Sequence, residues 1–134
     1  MYNQHSDTFD RDAAIIKSSN NELLDVQDLP MFFENVSSRA HLSWRINRML
    51  PARVVRTLFP RPYIISEWSG QSIERYITMS MPNAPPHKLP NFECSNVFVV
   101  QGSGEQMVVL RPTHECVDQC RTISIVLKPS YVCK

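Results

Sequence analysis

The chain has 134 residues, 43% of them hydrophobic and 20% charged, which excludes wholesale disorder and suits one folded domain. Its 14 Lys and Arg against 13 Asp and Glu leave a formal charge of +1, so net charge alone selects no partner. Apolar runs such as 97–100 are far too short for a helical membrane span. The first twenty residues carry Asp7, Asp10 and Asp12 and lack an apolar signal region. The expected setting is therefore intracellular, cytoplasmic or nuclear, where thiols stay reduced.

In chain order, residues 1–20 are polar and read as a flexible acidic leader, dispensable for folding, with at most a helical turn at 13–16. Residues 21–134 are expected to form one globular domain, helical over 30–60 and β-rich over 63–134. Pro30 suits a first helical turn near the cap Asp28. Leu42, Ile46, Met49 and Leu50 then recur at helical spacing, predicting a helix over 30–50. Pro51 interrupts that run and opens a second short helix over 52–58, which Pro60 and Pro62 stop. The turn between them lacks the glycine common in helix-turn-helix motifs.

From residue 63 the pattern changes to short β-branched and aromatic runs at 63–65, 73–81, 96–101, 106–111 and 122–127. In 75–81 the alternation sets Tyr76 and Thr78 on one side, Ile77, Met79 and Met81 on the other. Gln101-Gly102-Ser103-Gly104-Glu105 separates two apolar runs and reads as a hairpin loop. The expected fold class is α+β, with a disordered acidic leader, one or two N-terminal helices, then an antiparallel β-sandwich or incomplete barrel.

Charge is zoned along the chain. Residues 1–38 hold the acids Asp7, Asp10, Asp12, Glu22, Asp25, Asp28 and Glu34 with only Arg11 and Lys17. Residues 39–62 hold Arg39, Arg45, Arg48, Arg53, Arg56 and Arg61 and no acid. An acid-free arginine segment attracts phosphate backbones or acidic protein, and Trp44 is the expected stacking group beside Arg45 and Arg48. The alternative is a solvated face, or one paired with the chain's own acidic leader.

Sequence chemistry for catalysis is sparse. With only Gly70, Gly102 and Gly104, no glycine-rich phosphate loop can be written. His5, His41, His87 and His114 show no spacing that joins one of them to a cysteine nucleophile. Cys94, His114, Cys116 and Cys120 supply the ligand types of a tetrahedral zinc site, but without paired knuckles. The expectation is reduced structural thiols, Cys133 included, and no cofactor, with zinc as the alternative.

His87, Glu93, the apolar run 96–101 and the turn glycines Gly102 and Gly104 together resemble the first motif of the cupin family. The run 123–127 followed by Pro129 and Tyr131 resembles the second. The resemblance covers 87–134 and implies a small jelly-roll barrel. Pro85 stands where a leading histidine would be, and the second motif lacks its glycine and histidine, leaving His87 and Glu93 as surviving ligand candidates. The pattern is also similar to the dimerisation domain at the end of centromere protein C, a non-enzymatic cupin. That resemblance implies self-association or partner docking. The leading expectation is thus a non-catalytic protein–protein interaction or self-assembly module, probed against a nucleic-acid-binding protein using 39–61 and a metal-dependent cupin-type enzyme.

Overall fold

The computed structural model describes residues 2–11, 15–19, 34, 39–70, 72–92 and 96–133. The chain divides into two compact units, Met1–Phe92 and Glu93–Lys134. The class is α+β: among the described residues, short helices and several antiparallel strands in small sheets. No single sheet closes on itself among the described residues.

The first unit is organised by the strand β2 (His41–Ile46), the middle strand of a sheet ordered β1 (Ile15–Ser18), β2, β3 (Arg75–Ser80). Along β2 polar and apolar residues alternate strictly, and burial alternates with them: Leu42, Trp44 and Ile46 are buried. That period of two overturns the helix expected over 30–50 across 41–46, while Glu34, Met49 and Leu50 are helical as expected. Leu42 and Ile46 are four apart, which satisfies a helical and a strand period alike. Trp44 between them fits only the strand. Residues 30–33 and 35–38, with the other half of that expectation, lie outside the described residues.

Opposite β2, the register sets Met79 against Leu42 and Ile77 against Trp44. Ile77, Met79 and Met81 pack against the core, as the alternation in 75–81 predicts. The ladder continues one residue further, where the Met81 N–H donates to the Ala40 carbonyl at 3.0 Å.

Helix α2 (Met49–Leu58) closes over this face with Pro51, Ala52 and Val55 buried. It starts before the sequence-predicted 52–58, because proline is compatible with the first helical turn. Helix α1 (Ser6–Arg11) contributes Phe9, fully buried, whose ring meets Trp44 at 4.8 Å between centroids and 58° between planes. The described part of the expected leader is therefore built into the first unit: Phe9 offers a large apolar surface to bury, and residues 15–18 form β1, not a helical turn.

The expected strand at 63–65 is absent. Prolines 60 and 62 remove two backbone donors, and the chain turns instead, with the Ile65 N–H donating to the Pro62 carbonyl at 3.0 Å.

In the second unit β4 (Val99–Val100) pairs with β7 (Val132–Cys133), and β5 (Gln106–Leu110) pairs with β6 (Ile123–Leu127), both antiparallel. Residues 101–105 therefore join strands of different ladders and make no hairpin. Gln101 shows why: its backbone N–H donates to Tyr131 and its carbonyl accepts from Ser130. Its side chain donates to the Ser103 carbonyl at 2.7 Å, and Gly104 takes φ +68. The chain turns away from β4, leaving β5 to find β6.

Candidate functional site

The arginine segment does not form one helical face. Arg45 lies on β2 and pairs with the Glu74 carboxylate, which also accepts from the Tyr76 hydroxyl at 3.0 Å. Arg48 is the N-cap residue of α2 and makes no side-chain capping bond. Arg53 and Arg56 are exposed on α2, and Arg39 is exposed before β2. Arg61 donates to the Ser66 carbonyl at 3.1 Å and approaches Glu67 at 3.4 Å, fastening the loop after α2.

Trp44 is no stacking platform, because β2 alternation turns it into the core, where it is 0% exposed. The aromatic groups that do reach solvent near the arginines were missed by sequence reasoning. They are Tyr63 and Trp68, 97% and 95% exposed in the loop held by Arg61. Their signal was the turn chemistry of Pro60, Pro62 and Ser66, which keeps an aromatic run out of a sheet.

The outer face of β2 carries His41, Ser43 and Arg45, and register sets them opposite Ser80, Thr78 and Tyr76. His41 stacks on His87, with centroids 3.8 Å apart and planes 6° from parallel. Burial, and after it the neighbouring His87, hold His41 below the ordinary histidine value. The Ser19 hydroxyl accepts from the His41 N–H at 2.9 Å and so anchors the strand beneath the ring. Tyr76 in turn meets Phe92 edge-on at 5.0 Å. His87, a ligand candidate under the cupin resemblance, stacks on His41; Glu93 lies outside the described residues.

Of the sequence-predicted zinc ligands, His114 and Cys116 share a 3-10 turn, and the Cys120 N–H donates to the Cys116 carbonyl at 2.9 Å. Cys116 and Cys120 are exposed free thiols. Cys94 lies outside the described residues. Among the described residues no three His, Cys, Asp or Glu side chains gather as metal ligands.

The β5–β6 ribbon carries a cluster of exposed apolar residues. Met107 and Val126 stand directly opposite each other and are 67% and 52% exposed. Val109, on the same face as Met107, is also exposed, as are Leu110 and its cross-strand partner Ile123. Neither strand carries a charged residue. Among the described residues the ribbon has no third strand.

These features define an α+β domain with a packed three-stranded first unit and an apolar two-stranded ribbon in its second. Over residues 2–132 the chain matches the C6orf89 C-terminal domain, and it belongs to that family. Comparison with curated proteins and with solved structures found no match. Among the described residues, no helix is long and apolar enough to cross a membrane.

Proposed function

We propose that this domain is a non-catalytic protein–protein interaction module that self-associates through its β region, in a cytoplasmic or nuclear setting. The observation that carries this reading is the uncovered β5–β6 ribbon, with Met107 and Val126 exposed side by side. A two-stranded ribbon is marginal by itself and gains stability from a further strand or a packed surface. Clustered exposed apolar residues mark such docking sites. The cupin resemblance, with its dimerisation relative, supports the same reading. Sedimentation velocity from low to high micromolar concentration tests it: a concentration-dependent dimer is expected. A monodisperse monomer throughout overturns it.

A second reading, nucleic-acid binding, is favoured by one arrangement. Arg53 and Arg56 face solvent on α2, and the exposed Trp68 and Tyr63 follow in the next loop, taking the stacking role first given to Trp44. Oligonucleotide titration at two salt concentrations should then show a steep slope that flattens in Arg53→Ala/Arg56→Ala and affinity that falls in Trp68→Ala. Absence of binding at low salt removes this reading.

A further inference from the structure

The inference that follows rests on the self-association reading and names its surface. We infer that the open edge of β5 is where a second copy of this chain docks, antiparallel, about a two-fold axis at Val108. β5 bonds to β6 along one edge and to no other strand among the described residues. An unpaired strand edge presents a row of N–H and C=O groups that a second strand can satisfy.

The choice of partner comes from charge. A two-fold interface brings a surface against itself, so a patch of one sign repels its copy, whereas an uncharged strand flanked by opposite charges does not. β5 is uncharged from Gln106 to Leu110, with Glu105 just before it and Arg111 just after it. In an antiparallel pair centred on Val108, Glu105 of each copy falls opposite Arg111 of the other. The same register sets Met107 opposite Val109 of the second copy, twice. All four kinds of residue share one face, since 105, 107, 109 and 111 are two apart. The exposed apolar row thus runs on across the axis with an ion pair at each end, and apolar cross-strand neighbours stabilise such a sheet.

β6 offers nothing comparable. Centred on Ile125, its flanks are Arg121 and Lys128, with no acid between 119 and 134 to answer them. Pro129 also removes a donor just past its end. The edge that self-pairs is therefore that of β5.

Charge reversal in the full chain tests this with little risk to folding, because Glu105 and Arg111 are both exposed. E105R alone and R111E alone should each weaken the dimer about tenfold by sedimentation equilibrium, since each replaces two attractive contacts with two repulsive ones. The double swap E105R/R111E should restore the affinity to within about threefold, because complementarity is regained with the signs exchanged. A dimer indifferent to all three variants overturns this inference while leaving self-association standing. Equal weakening in the singles and the swap overturns the register. A wild-type chain that stays monomeric overturns both this inference and the reading beneath it.

Discussion

The imidazoles of His41 and His87 lie face to face, 3.8 Å between centroids and 6° from parallel, although 45 residues separate them along the chain. Two cations cannot share that spacing without repulsion, and a protonated His41 would also be partly withdrawn from water.

Stability should consequently fall as the solution is acidified. The folded state holds His41 below its ordinary value of 6.5, so within that window the unfolded chain binds the proton more readily. Stability contributed by the neutral ring is complete above the ordinary value and is lost as pH falls through it towards the folded value. Thermal melts between pH ~7.5 and ~6 should show a declining midpoint. His41→Phe, which keeps an aromatic ring on His87, should flatten that decline; an unchanged slope would assign the effect elsewhere.

Phe9 should matter as much as any core residue. Its ring is fully buried against Trp44, so Phe9→Ala should cost about 3–5 kcal/mol by chemical denaturation. Deleting residues 1–11 should lower the melting midpoint clearly, in contrast to the dispensable leader that composition suggests. A truncated chain that melts like the full one would mean that Phe9 contributes nothing to the core.

Arg48 is a poor start for α2. It takes the extended N-cap conformation without a side-chain cap, at the positive end of the helix dipole, and no acid lies in the first turn. Arg48→Asp should therefore stabilise the protein by about 1 kcal/mol, through a capping bond and a favourable charge. The same substitution should reduce any affinity for polyanions. A loss of stability would show that Arg48 has a partner role that outweighs capping.

The thiols should separate by exposure. Cys116 and Cys120 are exposed, and Cys133 is half-buried on β7. A thiol reagent should label the first two rapidly and Cys133 more slowly in the native protein. A strong chelator should leave the melting curve in place, since a zinc site that held the fold would link metal release to unfolding. Loss of the transition on chelation would promote His114, Cys116 and Cys120 to ligands.

The exposed loop aromatics offer a stability contrast. Trp68 is almost wholly solvent-exposed, so Trp68→Ala should change unfolding free energy by no more than about 0.5 kcal/mol, against several for Trp44→Ala. Equal losses at the two tryptophans would contradict this placement.

By itself the sequence determined what periodicity and turn chemistry encode locally. Residues 75–81 announce their two faces by alternation, Pro51 marks the opening of α2, and β-branched runs between Pro and Gly mark most of the strands. The exclusion of glycine-rich phosphate loops is equally local. The expected helix over 30–50 gives way to a strand at 41–46, because a spacing of four fits both periods and only the buried Trp44 decides for the strand. Tertiary structure alone decided partner choice. Nothing within 96–111 says that β4 takes β7 while β5 takes β6, since backbone bonds of Gln101 to the distant Ser130 and Tyr131 make that selection. The same holds for Phe9 under Trp44, His87 on His41 and the open edge of β5. Each depends on segments brought together from far along the chain, and no local pattern records which distant segment arrives.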